Sequence, residues 1–353
     1  MSRIFLAPME GLADSLLRDV LTRVGGYDGA VTEFVRVSQS LLPLRTFYRI
    51  SPELAHGSRT PAGVPVAVQL LGSDPVCMAE NAAQLATLKP FAIDLNFGCP
   101  APTVTRHGGG AILLDEPPRI GAIVQAVRQA VPAAIPVSAK MRLGVSDTGK
   151  ALACAQALEA GGAASLVVHA RTRDEGYRPP AHWEWVARIR EAVRIPVMAN
   201  GEVWTPRDYG RCRAVTGCAD VMIGRGAVAD PFLVRNIRNG LLPATGRAAD
   251  WPELQALLAG FWLLLPGRMA ARYRPGRLKL WLGSLRQHFP EAETLYRAVR
   301  PLRTIEETEA TLERHGVRLH CPEEDVHAAL RYGKNFSGML RSHTSTSSGG
   351  KHG

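Results

Sequence analysis

A chain of 353 residues, 46% of them hydrophobic, can bury the cores of one large α/β domain of barrel size and a smaller second domain. Its six cysteines (Cys77, Cys99, Cys154, Cys212, Cys218, Cys321) form no C-x-x-C pair and no Cys/His quartet, which argues against a zinc site or disulfide framework and for a reducing cytoplasm. The net charge of +10 is uneven: residues 268–303 hold nine Lys/Arg against Glu291 and Glu293, the footprint of a polyanion partner or else a solvated helix face.

The opening segment, MSRIFLAPMEG, passes directly into a strand-like run without a basic leader and apolar stretch, so an unsecreted chain is expected; no apolar run reaches transmembrane length. Short β-rich runs then recur, ending in polar residues or glycine: RIFLAPM, GAVTEF, VPVAVQLLG, FAIDLNFG, IPVSAKMRLG, ASLVVHAR, IPVMANGE and ADVMIGRG. Between them lie segments with helical spacing, among them DSLLRDVLTRVG, AENAAQLATL, IGAIVQAVRQAV, ALACAQALEAGG and WEWVARIREAV, several of which stop at glycine or before Ile-Pro. This alternation predicts a (β/α)8 TIM barrel over residues 1–240. The strands then cease, and LQALLAGFWLLL, GRLKLWLGSLRQHF and EAETLYRAVRPL predict a smaller all-helical C-terminal domain over residues 250–335, with the boundary in residues 239–249. The helical domain carries the basic stripe. The end, SHTSTSSGGKHG, is low-complexity, and residues 340–353 are expected to be disordered.

A barrel of this class keeps its chemistry at the C-terminal ends of its strands. In chain order these ends offer Pro8, Met9 and Glu10; Glu33; Gln69; Asn96 with Cys99; Lys140 with Arg142; His169 with Arg171; Asn200, Gly201 and Glu202; and Gly224, Arg225 and Gly226. The NGE and GRG turns can cradle a phosphate on backbone N–H groups, so a phosphorylated cofactor is expected, although such glycines can also serve tight βα turns alone. A lone histidine is more often a core residue than a ligand, but His169 shares the mouth with Lys140. Lys140 could be a Schiff-base nucleophile, or the fixed cation that an anionic flavin requires, with the Gln69 amide on a flavin edge. Cys99 follows Gly98, precedes Pro100 and sits at a strand end, which presents its thiol to the mouth as a nucleophile or a proton donor. Glycines 108–110 would let its loop open and close.

In family order, LAPMEG, TEFVRV, VQLLG, DLNFGCP, GGGAILL, SAKMRLG, VVHARTRDEGY, ANGE and MIGRGA resemble the motifs of the bacterial tRNA-dihydrouridine synthases over residues 3–236, and residues 251–304 resemble that family's C-terminal RNA-binding domain. TEFVRV with Arg36, together with GRLKLWL, resembles the C-type subfamily that modifies position 16 of the tRNA D-loop. The resemblance implies FMN as bound cofactor, NADPH as reductant and tRNA as partner. It implies that hydride passes from flavin N5 to carbon 6 of a uracil while Cys99, as general acid, protonates carbon 5. The family's FMN contacts fall on Pro8, Met9, Gln69, Lys140, His169, Asn200, Gly201, Glu202, Gly224 and Arg225. Asn96, Arg142 and Tyr177 match positions around the uracil or its nucleotide, and Arg36, Arg277, Lys279 and Arg300 match tRNA contacts. After Cys99 the run APTVT, then Arg106 and His107, departs from a family pattern that carries a lysine near Pro102 and an asparagine near Thr105. A cytoplasmic monomer without metal or membrane attachment is expected. A flavin barrel acting on a free pyrimidine, similar to dihydroorotate dehydrogenases, would leave the basic helices without a role. A non-catalytic tRNA-binding protein would not need Cys99, Lys140 and His169.

Overall fold

The computed structural model describes residues 2–240 and 250–319. The expected tail (residues 340–353), residues 320–335 of the expected helical domain, Cys321 and most of the expected boundary segment lie outside the described residues. The chain divides into two compact units, Met1–Ala244 and Thr245–Gly353.

In the first unit eight strands alternate with helices: β1 (Ile4–Leu6), β2 (Gly29–Arg36), β3 (Val66–Leu71), β4 (Ile93–Phe97), β5 (Val137–Arg142), β6 (Leu166–His169), β7 (Val197–Asn200) and β8 (Asp220–Ile223). They pair in sequence order and close, β8 on β1, into the barrel that the sequence pattern predicts. Strands β3 and β4 are buried at every position, as parallel strands between a filled interior and a helical ring must be. Their period of two sends Ile93, Leu95 and Phe97 one way and Asp94 and Asn96 the other, into the barrel. The interior begins with an apolar layer of Ala7, Val31, Ala67, Ala92, Val167, Met198 and Met222, with Phe5 packed against it. Above it the inward residues turn polar. Register sets Gln69 beside Asp94, Asp94 beside Ser138, Asn96 beside Lys140 and Arg142 beside His169. The β2–β3 pairing shifts register between Val31 and Phe34, a bulge that re-aims Phe34.

Helix starts are fixed locally. Asp14 accepts from Leu17 N at 3.0 Å to begin Ser15–Val24, and Asp74 accepts from Cys77 N at 2.7 Å to begin Pro75–Ala86. Thr205 and Asp208 form a reciprocal capping box on Pro206–Thr216. The barrel seam is clamped by Asp220, which accepts from Arg3 N at 2.8 Å, Arg3 Nε at 2.9 Å and Arg3 Nη2 at 2.6 Å across 217 positions of sequence.

The second unit, described from Asp250, consists mainly of helices Trp251–Leu264, Arg274–Leu285, Pro290–Val299 and Ile305–Arg314. Leu258, Phe261, Trp281, Leu285, Phe289 and Leu295 are fully buried in it. Phe261 and Trp281 meet edge to face, ring centroids 4.9 Å apart and planes at 67°. Among the described residues no helix is long and apolar enough to cross a membrane.

Candidate active site at the barrel mouth

The strand ends enclose a cavity of about 480 Å³, a size suited to a small-molecule ligand. Pro8, Met9, Gln69, Lys140, His169, Asn200, Gly201, Glu202, Gly224 and Arg225 all line it, together with Asn96, Cys99, Arg142 and Tyr177. Fourteen residues spread over more than two hundred positions of sequence therefore share one wall. Glu10, Phe34 and Trp204 line it as well; Glu10 is recognisable in the sequence as a strand-end residue, whereas nothing in the sequence marks Phe34 or Trp204. The carboxyl pKa of Glu10 is raised, by burial first and then by the neighbouring Glu33.

Cys99 is half-buried and its backbone is held from two sides. Asn96 Oδ1 accepts from both Gly98 N and Cys99 N at 2.9 Å, and the Cys99 carbonyl accepts from Ala111 N at 3.0 Å. Burial pushes its thiol pKa up and Glu10 adds to the rise, against the pull of a backbone hydrogen bond at Ala101 and of Arg142 and Arg36. The thiol thus stays protonated at neutral pH, the state a proton donor needs. Gly110 has φ +65°, and a Cβ there would lie 2.6 Å from the Cys99 carbonyl oxygen. This glycine is required by close packing on Cys99, a reason different from the hinge read from the sequence. Arg36 stands outside the cavity wall and donates from Nη2 to Thr103 O at 3.0 Å, tying the turn after Cys99 to the end of β2.

Four cations surround His169. Burial first, then Arg142, Lys140, Arg171 and Arg225, hold its pKa well below the usual imidazole range, so the ring is neutral. Lys140 is lowered to about 8, by burial and then Arg142; its Nζ donates to Asn200 Oδ1 at 3.0 Å, while Asn200 Nδ2 donates to Met222 O at 2.9 Å. Arg142 is 1% exposed and donates from Nε to Gly98 O at 2.8 Å, and from Nη1 to Thr172 O at 2.9 Å and Gly176 O at 2.8 Å. The residue expected beside the nucleotide thus also ties the strand end before Cys99 to the loop after β6. That loop places the exposed Tyr177 ring near two cations, with the Arg142 guanidinium 5.2 Å and the Arg225 guanidinium 4.5 Å from its centroid, and Arg225 also lies over Trp204 at 5.2 Å. Glu202 is ion-paired with the fully buried Arg171 and has φ +59°, a left-handed conformation uncommon outside glycine and concentrated at functional sites.

The second unit holds the remaining expected contacts in unlike settings. Arg277 is 9% exposed with its guanidinium 5.6 Å from the Phe261 ring centroid, Lys279 Nζ donates to Leu302 O, and Arg300 is exposed. Arg272 and Arg303 of the basic stripe are exposed too. Among the described residues no group of three His, Cys, Asp or Glu is placed to hold a metal ion.

The dihydrouridine synthase family model matches residues 5–255. A tRNA-dihydrouridine(16) synthase of Ralstonia nicotianae is 60% identical over 313 residues, 89% of this chain and 96% of that one. A tRNA-dihydrouridine(16) synthase of Cupriavidus necator is 59% identical over 313 residues, 89% of this chain and 97% of that one. Among solved structures, a 2-naphthoyl-CoA reductase complex superposes with a TM-score of 0.52 at 10% identity, covering 68% of this chain and 50% of that chain, a likeness of fold alone.

Proposed function

The chain belongs to the dihydrouridine synthase family, and from that membership we propose that it reduces uridine to 5,6-dihydrouridine in the D-loop of tRNA, at position 16, with FMN as resident cofactor and NADPH as reductant. One observation carries the reading: the Cys99 thiol shares a single cavity with His169 and the cations Lys140, Arg142 and Arg225. The residues present fit a flavin mononucleotide. The cavity is of small-ligand size, Lys140 and Arg225 give it a fixed positive wall for an anionic ligand, and the Gly201 and Gly224 turns bring backbone to its rim. Asn200, Gly201, Glu202, Gly224 and Arg225, at the end of β7 and in the turns after β7 and β8, would hold the phosphate-bearing part, Lys140 and His169 the ring or its ribityl chain, and Pro8, Met9 and Gln69 the ring. When bound, the flavin supplies the hydride for carbon 6 of the uracil.

Cys99 gives the proton to carbon 5 from its thiol, and the bonds from Asn96 and Ala111 fix the backbone from which that proton is delivered. A uridine in folded tRNA must leave its stack to reach this mouth; the exposed Tyr177 ring on the cavity wall, with the Arg142 and Arg225 guanidinium groups close by, offers it an aromatic contact there. The helical unit binds tRNA through exposed cations such as Arg272, Arg300 and Arg303. The enzyme acts in the cytoplasm as a monomer. The test is to incubate the protein with FMN, NADPH and unmodified tRNA transcripts and to map dihydrouridine by mass spectrometry. Dihydrouridine at position 16 is expected; its appearance only elsewhere would overturn the position, and its absence with flavin bound and NADPH oxidised would overturn the substrate.

A further inference from the structure

A chain of hydrogen bonds runs from inside the barrel to the peptide of Cys99, and it begins at a carboxylate that the chemistry above does not use. Asp94, on β4, is 2% exposed. Its Oδ1 accepts from Ser138 Oγ at 2.6 Å and its Oδ2 accepts from Gln69 Nε2 at 2.7 Å. Gln69 Oε1, turned the other way, accepts from Asn96 Nδ2 at 2.7 Å. Asn96 Oδ1 then accepts from Gly98 N and Cys99 N, each at 2.9 Å. Gln69 is fully buried and Asn96 is 9% exposed, so water offers these amides little compensation for a lost partner.

We infer that Asp94 is a positioning residue: it anchors the Gln69–Asn96 relay whose far end holds the backbone of Cys99. The inference rests on the reading of Cys99 as the proton donor. Both carboxyl oxygens of Asp94 accept, so Gln69 offers it N–H and keeps its carbonyl for Asn96. Burial raises the Asp94 pKa, and the bonds from Gln69 and Ser138 and the charge of Lys140 oppose that rise. Asn96 must then donate to Gln69, which leaves its own carbonyl for the two loop amides. Each amide group has one satisfied orientation, and inverting one sets N–H against N–H or oxygen against oxygen. Gln69 also lines the cavity, so the same anchor fixes the polarity that this side chain presents to a ligand.

Asparagine matches aspartate in size, and leucine matches it in branching and number of side-chain heavy atoms but with bulkier methyl groups, so the pair bears on the acceptor and the Asp94→Ala variant removes the added bulk. In Asp94→Asn the side-chain carbonyl can still accept from Gln69 while the Ser138 hydroxyl turns to accept from the new amide. In Asp94→Leu the branched shape stays, with bulkier ends, and the acceptor goes. The readout is amide hydrogen exchange at Gly98 and Cys99 in the full-length, flavin-loaded protein, alongside single-turnover formation of dihydrouridine. Asp94→Asn is expected within about 3-fold of the parent, whereas Asp94→Leu exchanges roughly 10-fold faster at these amides, the scale of one lost hydrogen bond, and protonates product correspondingly more slowly. Exchange in Asp94→Leu equal to that in Asp94→Asn would overturn the inference. If Asp94→Leu does not retain flavin, Asp94→Ala serves: sodium formate, which supplies a carboxylate, is expected to restore protection where sodium chloride does not, and equal exchange in the two salts overturns it. A parent protein that makes no dihydrouridine would refute the proposed function and leave the exchange comparison intact.

Discussion

Gly110→Ala and Gly108→Ala form a pair that isolates the contact on Cys99. Both glycines have positive φ, +65° and +70°, so alanine meets a similar backbone cost at each, about 1–2 kcal/mol. Their surroundings differ. A Cβ at 108 meets nothing within 4 Å, whereas one at 110 would lie 2.6 Å from the Cys99 carbonyl oxygen, 3.0 Å from Val104 Cγ1 and 3.1 Å from Cys99 Cβ. Real Cβ atoms do not approach closer than 3.0 Å, so the Cys99 peptide must retreat by about 0.4 Å. The retreat loads the same peptide that Asn96 and Ala111 hold. Since a 1 Å misplacement can cost 10²-fold in rate, a shift of this size is expected to slow proton delivery roughly 10-fold. The assay mixes pre-reduced enzyme with unmodified tRNA and follows dihydrouridine in a single turnover, with flavin content measured on the same samples. Gly108→Ala is expected to react at the parental rate with a slightly lower thermal midpoint. Equal single-turnover rates for the two variants would refute the packing argument.

Cys99→Ala is expected to retain flavin and to lower single-turnover reduction of tRNA by about 10²–10⁴-fold, the range of general acid catalysis, with NADPH oxidation by oxygen unaffected; an unchanged rate would remove Cys99 from the proton-donor role. Because burial raises the Cys99 pKa, the parent should keep its proton donor through neutral pH and lose it only on the alkaline side of the ordinary thiol range in a pH–rate profile of the tRNA half-reaction, and a limb that falls at neutral pH would contradict that protonation state. Lys140, with a pKa lowered to about 8, loses its charge as pH rises through that value, so FMN affinity measured by fluorescence titration should weaken above pH 8, by at most about 10-fold per pH unit. Lys140→Met should bind FMN more weakly and abolish that dependence; a variant that keeps it would assign the titration elsewhere. Arg300→Ala with Arg303→Ala should weaken tRNA binding and reduce its salt slope by about 1–2, at an unchanged thermal midpoint. Arg277→Ala, which removes a buried cation beside Phe261, should instead lower the thermal midpoint.

The barrel is legible because each strand is an apolar run cut short by the residue the mouth needs: VQLL stops at glycine, and DLNF stops at Gly98 and Cys99. Where chemistry-bearing residues sit at strand ends, the topology alone gathers them, so Lys140 and His169 meet although no motif links them. Asp94 escapes such a reading because an acid inside an apolar strand carries no sign of the glutamine and serine on neighbouring strands that satisfy it. Arg142 is legible as a mouth cation, but the three carbonyls that occupy its donors come from segments some 30 to 44 residues away. Helix Pro206–Thr216 buries only Tyr209, Cys212 and Thr216, so its apolar period is faint and its clearest signal is the T-x-x-D cap. In the basic stripe, charge counts cannot separate Arg277, which faces Phe261, from the exposed Arg300.

The Arg3–Asp220 clamp also carries a timetable. During synthesis at 5–20 residues per second, β1 leaves the ribosome roughly 10–40 s before its second neighbour exists, since 217 positions separate the two ends of the clamp. Throughout that interval one edge of β1 is an open template, and the wall that carries Pro8 and Met9 has nothing opposite it from the turns after β7 and β8. The Arg3 guanidinium, 54% exposed, is a charged guard on that edge until Asp220 arrives. Ligand capture therefore falls at the end of synthesis and depends on the two ends of the barrel finding each other. A chain interrupted just before Asp220 would carry nearly all the binding residues and still lack a place to use them.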